Sequence, residues 1–346
     1  MSAEGANALI TAAEPQATAR RGRRWRREVT LVAERYALVG LLALLVVFFA
    51  LNPSTSDTFL TAANVRNVLA NEAVVAIAAL AALIPLVCGQ FDVSVGAVLG
   101  GAALVVAALT SRTGLPPGVA IVAAIAVGGV VGAVSGAVIA YVRTSSFIIT
   151  LGMATLVGGL VSLYSGDQTI VGPQSMVDFG NGTTLGGPRP VWLLIVVAAA
   201  TGWILRYTVF GRRLTAIGAN PRAAQLVGIR VQRHVLLAFV LAGALAAVAG
   251  TLQLARSGAA NPQIGPGFTL SALAAAFLGA TTIRPGQFNV PGTIVGVFFV
   301  AISVNGLTLA GAADWVDPVF NGAAVVIAVA LSTHLANRRG TQATPM

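Results

Sequence analysis

RYTVFGRRLTAIGANPRAAQLVGIRVQR, residues 206–233, carries six arginines and no acid between two stretches that only lipid would accept. One charge sign held over so long a loop marks the side of a membrane on which it lies. The chain around it is 56% hydrophobic and 9% charged over 346 residues. An ordinary soluble domain is about a quarter charged, so this chain belongs in a bilayer.

Apolar runs long enough to cross, about 20 residues each, fall outward from the loop at 36–51, 73–88, 93–110, 119–141, 147–164, 191–207, 235–255, 268–282, 291–310 and 319–335. Only GQFD (89–92) separates the second run from the third. With the N-terminus inside, 17 arginines lie on the inner side and four (Arg66, Arg112, Arg189, Arg256) on the outer. Six acids, Asp57, Glu72, Asp167, Asp178, Asp314 and Asp317, join the outer side. The bias predicts an all-α polytopic protein of about ten transmembrane helices, some short or broken, with both termini cytoplasmic. Residues 1–34 are expected to be a disordered cytoplasmic tail and 336–346 a second one. Residues 35–335 form the membrane domain, with 208–234 as its main cytoplasmic loop. RRGRRWRR before the first apolar run has the look of a secretion signal, but no A-x-A cleavage site follows, so that run reads as a retained helix.

All 21 basic residues are arginine. Without lysine there is no Walker A loop, no Schiff-base lysine and no S-x-x-K nucleophile. Two histidines, the single Cys88 and scattered carboxylates predict no metal site and no catalytic residues. Cys88 reads as a small buried hydrophobe. The net charge of +10 reflects topology and not nucleic-acid binding, since no basic stretch is interleaved with aromatics.

Gly128, Gly132, Gly136 and Ala140 recur every fourth residue in GGVVGAVSGAVIA, a smooth face for close helix packing within the subunit. Gly96 with Gly100 and Gly292 with Gly296 repeat the pattern. Asp92 is the one acid expected at membrane depth. The remaining polar inventory of the spans is neutral: Thr150, Thr155, Ser162, Gln253, Ser303, Asn305 and Asn321. Such a lining suits a neutral, hydrogen-bonding solute and offers no coupling ion a place to bind. The energy for transport must come from elsewhere.

Within the arginine-rich loop, GANPRAAQLVGI has the grammar of a short capped helix. Asn220 is a favoured N-cap, Pro221 fits the first helical position, and Gly228 suits the left-handed residue that ends it. A helix of under two turns is marginal alone, so it either docks against a partner or simply lies on the membrane.

Four stretches in order resemble the permease subunits of ABC importers of the ribose/xylose/galactose type. GQFDVSVGAVLG (89–100) is similar to their Gly-Gly-x-Asp-Leu-Ser-Val-Gly signature, and SSFIITLGMATLVGGL (145–160) to their Phe-Ile-x-Thr-Leu-Gly segment. TVFGRRLTAIGANPRAAQLVGIRV (208–231) is similar to the stretch carrying their cytoplasmic coupling helix. NVPGTIVGVFFVAISVNGLTLAG (289–311) is similar to their Gly-Thr-x-x-Gly…Asn-Gly-Leu segment. Gln90 and Phe91 depart from the signature, as does RPGQFNV (284–290) where a Gly-Gly-rich turn is common.

The resemblance covers roughly 35–335. It implies a homodimeric permease in a bacterial inner membrane, driven by a separate cytoplasmic ATPase that holds the ATP and Mg, and fed by an extracytoplasmic solute-binding protein. No cofactor belongs to this chain. Gly218, Ala219, Asn220, Pro221, Ala223, Ala224, Gly228 and Ile229 would form the ATPase coupling element. Asp92 with Ser94 either caps the helix that follows or meets a sugar hydroxyl, and Phe147, Thr150 and Asn305 either line the path or pack. Arg189, Arg256, Asp314 and Asp317 are either docking groups for the binding protein or solvated loop charges. The rival readings are a permease of the same superfamily for branched-chain amino acids or nucleosides, a self-contained channel or carrier, and a membrane scaffold.

Overall fold

The computed structural model describes residues 35–313 and 315–341. The expected tail 1–34 and Asp314 lie outside the described residues, as does 342–346 of the second tail. Among the described residues, seven helices are long and apolar enough to cross a membrane: α3 (Ala62–Val87), α4 (Val95–Thr113), α5 (Pro117–Ala137, continued by a π turn at Val138–Val142), α6 (Ser146–Ser165), α8 (Arg189–Tyr207), α11 (Val231–Ser257) and α13 (Val290–Leu309). Three further apolar helices are shorter: α1 (Arg35–Leu51), α12 (Gly265–Gly279) and the first part, Val316–Ile327, of α14 (Val316–Thr341). The ten coincide with the ten expected runs, and the protein is a polytopic all-α membrane protein.

Four short helices lie between them: α2 (Ser56–Phe59), α7 (Gln174–Asn181), α9 (Val209–Ala219) and α10 (Pro221–Leu226). Four two-residue strands make two antiparallel pairs, β1 (Ile170–Val171) with β4 (Ala259–Ala260) and β2 (Thr183–Thr184) with β3 (Gly187–Pro188). Leu185 and Gly186 form the tip of the second pair, both at positive φ, as a two-residue hairpin turn requires.

Helix α3 is the post of the bundle. Its buried run from Ala73 to Leu86 is dominated by alanine, so backbones approach closely, and α11, α12, α8 and α13 all pack on it. It starts at Ala62 and not at 73, because Asn64, Arg66, Asn67, Asn71 and Glu72 add polar turns to a helix that nothing interrupts. Thr61 caps it by accepting from the Asn64 N–H at 3.3 Å. The glycine face of α5 packs within the subunit, as expected: a Cβ on Gly132 would stand 2.1 Å from the Phe239 carbonyl of α11. Cys88 is buried at the end of α3, its thiol donating to the Pro85 carbonyl at 3.2 Å.

Candidate functional site

The 89–94 stretch is an unwound segment seated inside the bundle. Helix α3 ends at Val87, Gly89 turns the chain at φ +77°, and no helix resumes until Val95. Backbone N–H groups freed in an apolar interior cost several kcal/mol each unless satisfied, roughly 2–7 by reference state. Neighbouring side chains satisfy several of them. The Ser146 hydroxyl accepts from the Phe91 N–H at 3.0 Å, the Thr150 hydroxyl from Val93 at 3.0 Å, and the Thr269 hydroxyl from Gly96 at 3.2 Å. Helix α6 on one side and α12 on the other thus hold the break open. Phe91 stacks on Phe277 of α12 with ring centroids 5.8 Å apart.

Asp92 and Ser94 are both buried, and Asp92 turns back on its own chain. One Asp92 carboxylate oxygen accepts from the Ser94 N–H at 2.9 Å and from the Ser94 hydroxyl at 2.6 Å. Together they close a local turn just ahead of α4, whose first residues receive no side-chain cap from either of them. The Ser94 hydroxyl is spent on Asp92, so the free N–H of the new helix goes to Thr269 instead. Thr150 is fully buried and its hydroxyl also donates to the Ser146 carbonyl at 2.9 Å. Phe147, one turn away, is exposed on the outward face of α6.

Asn305 lies elsewhere, in a cavity of ≈ 530 Å³ between α3, α12, α13 and α14. It exchanges amide hydrogen bonds with Asn64 at 3.0 and 3.2 Å. Glu72, Asn71, Ser271, Asp317 and Asn321 share this lining. The Asn321 amide donates to Asp317, which leaves its buried carbonyl oxygen without a partner. The sequence reading placed Glu72 in an outer loop, because the run beginning at 73 looked like the start of the helix.

The loop that opened the sequence reading folds into two helices, where the residues announced one. Thr208 caps α9 by accepting from Gly211 at 3.2 Å, and Leu214 and Ile217 bury its inner face. Asn220 then caps α10, its side-chain oxygen accepting from the Ala223 N–H at 3.0 Å, with Pro221 in the first position. Gly228 ends the element at φ +82°. The structure divides the eight expected residues by the side they face. Ala224 is buried, and Ile229 packs on the same cluster with Ile217, Val235 and Phe239. Gly218 presses on α3, where a Cβ would meet the Val87 carbonyl at 2.2 Å. Ala219, Asn220, Pro221, Ala223 and Gly228 face out. Beside them stand Leu226 and Val227, 88% and 77% exposed, which the sequence reading passed over. Their signal was available: an apolar pair inside an arginine-rich loop.

At the opposite ends of α8 and α11, Arg189 and Arg256 are braces. The Arg189 guanidinium donates to the Thr184 hydroxyl and the Asp178 carbonyl, each at 3.2 Å, and lies over the Phe179 ring. Arg256 donates to Asn67, Asn71, Asn181 and the Gly180 carbonyl, tying α7 to α3. Both side chains are held against their own loops, whereas Leu185 at the hairpin tip is 89% exposed.

Residues 64–329 match the family described as the permease component of the branched-chain amino acid transport system. The chain belongs to this permease family. The permease is 34% identical over 315 residues to the ribose import permease RbsC of Escherichia coli K12, covering 89% of this chain and 96% of that protein. It is also 34% identical to the RbsC of Bacillus subtilis, over 85% of this chain and 90% of the other. To the L-arabinose ABC transporter permease AraH of Azospirillum brasilense it is 30% identical, with 87% and 88% covered. No solved structure matches the permease significantly.

Proposed function

We propose that this permease is the membrane-spanning subunit of an ATP-driven bacterial importer, and that two copies form the path for a monosaccharide. The reading rests above all on α10. One face, at Ala224, is seated in the bundle, while Leu226 and Val227 project from the arginine-rich end, uncovered by any described residue. An apolar knob on a capped, seated helix is suited to a groove in a cytoplasmic ATPase, which would hold the ATP and Mg that this lysine-free chain has no loop to bind. The seating through Gly218 and Val87 would pass movement to Gly89 and the unwound stretch beyond it.

Sugar is favoured over a branched-chain amino acid by the relatives, named for ribose and L-arabinose. The polar lining around Asn305 and the unpartnered Asn321 carbonyl also fit a hydroxyl-bearing solute better than an aliphatic side chain. A second copy would cover the open face of α6, bringing Phe147 beside the path. The extracytoplasmic binding protein would land on α7 and the β2–β3 hairpin, with Leu185 as its contact and Arg189 and Arg256 as the struts that shape the surface.

The test is ATP-driven uptake of labelled ribose, arabinose and galactose into vesicles carrying the permease, its ATPase and its binding protein. Leu226→Asp is expected to cut uptake at least tenfold while the permease stays folded and the ATPase still hydrolyses ATP. Unchanged uptake in that variant would overturn the coupling role, and uptake of leucine but no sugar would overturn the substrate.

A further inference from the structure

A cavity of ≈ 750 Å³ opens at the end of the bundle that carries most of the arginines, on the side away from α6. It exists because α8 packs along α3 and barely reaches α13, which leaves a cleft between them. Three arginines from three different segments meet there: Arg35 at the start of α1, Arg206 at the end of α8, and Arg284 in the turn before α13. Among the described residues, no acidic residue lines the cavity. Three arginines on the wall of one cavity, with no described carboxylate beside them, make it a favourable place for an anion.

The rest of the lining says which kind of anion. Trp203 and Tyr207, both on α8, stand at the same level as the arginines, where aromatic residues mark the membrane–water interface. Further in, the wall is apolar, with Ala198, Val290 and Pro291. Beside it, α8 leaves Ile195 and Val196 exposed, an apolar face on which acyl chains would lie. A cationic mouth over an apolar slot, opening laterally, matches the two halves of one molecule.

We propose that this cleft binds an anionic phospholipid of the inner leaflet, with its phosphate among Arg35, Arg206 and Arg284 and an acyl chain along α8. The leaflet follows from the arginine bias across the spans, and so rests on the same orientation as the proposed function. Thr215, Gly218 and Ala219 of α9 form another part of the wall, beside Gln287 and Asn289 of the turn before α13. The lipid would therefore brace the helix that leads into α10, and anionic lipid content would tune how firmly that element is held.

The experiment is native mass spectrometry of the purified permease with phosphatidylglycerol or phosphatidylethanolamine, which requires no transport and so can fail or succeed independently of the importer reading. Phosphatidylglycerol is expected to be retained preferentially. Arg35→Gln, Arg206→Gln and Arg284→Gln should each weaken retention about fivefold, and the triple variant on the order of 100-fold. Arg212→Gln with Arg213→Gln removes two charges from the same end but outside the cavity, and should retain the lipid like the parent. Inorganic phosphate at millimolar concentration should not displace it. Equal retention of the two lipids, an unaffected triple variant, equal loss in the control pair, or displacement by phosphate alone would each overturn the proposal.

Discussion

Helices α3 and α6 are both apolar enough to cross a membrane, yet 72% of the apolar window of one is buried and only 17% of the other. The difference lies in side-chain size and in what each helix must hold. Helix α3 is alanine-rich where its neighbours meet it, so four helices come close enough to make it the centre of the core. Helix α6 carries Ile148, Leu151, Leu156 and Leu163 on a largely exposed face. An apolar cavity of ≈ 340 Å³ even separates part of it from α4 and α5. Besides packing on α4 and α5 through Val157 and Val161, α6 is fastened by two hydroxyls, Ser146 and Thr150, on the unwound backbone at 91–93. Helix α3 is thus a fixed post and α6 a more open wall, linked to it through two hydroxyls at the unwound stretch.

The comparison breaks first, if it is to break, on core truncation. Leu83→Ala removes a fully buried side chain from α3, and cavity-forming changes of this kind cost about 2–5 kcal/mol. Leu163→Ala on α6, where the side chain is 80% exposed, should cost under about 0.5 kcal/mol. The fraction surviving a heating series, read by size exclusion in detergent, gives both values. Similar losses would mean that α6 is as firmly packed as α3.

Next in size comes the hydroxyl link. Thr150→Val keeps the shape of the side chain but leaves the Val93 N–H without its acceptor, a loss of about 1–3 kcal/mol. Thr155→Val is its control, since that hydroxyl only donates to the Leu151 carbonyl within α6. Hydrogen exchange at Val93 and Ser94 should accelerate in the first variant and not in the second. If exchange at these amides is unchanged, α6 does not hold the break.

How much of this was legible beforehand depended on what each residue answers to. The ten runs could be read because hydrocarbon thickness sets their length. The α10 cap could be read because Asn220, Pro221 and Gly228 act through their own backbone. The start of α3 was missed because Asn64 to Glu72 are polar residues in a helix whose outer turns lie beside a cavity, and periodic apolarity does not report on such turns. The two hydroxyls were half visible. Thr150 could be singled out, but its use on the backbone at 91–93 depends on a contact 57 residues away in sequence. The same holds for Ala223 and Ala224, adjacent and chemically identical, of which only the fold exposes one and buries the other.

The smallest expected effect on stability separates the two helices most cleanly in function. Gly152 on α6 has nothing within 4 Å of where a Cβ would stand, whereas Gly132 on α5 would drive one into a carbonyl. Gly152→Leu should therefore leave the isolated subunit within about 0.5 kcal/mol of the parent, with a small gain from helix propensity of up to about 1 kcal/mol partly offsetting any loss. Gly132→Leu should fail to accumulate in the membrane at all. If the open face of α6 meets only lipid, the leucine at 152 has no consequence for uptake either. If that face meets a second copy or the passing solute, uptake falls while melting and monomer yield stay unchanged. A leucine at 152 that lowers stability as much as Leu83→Ala would show instead that α6 is packed in the subunit, and the contrast between post and wall would be lost.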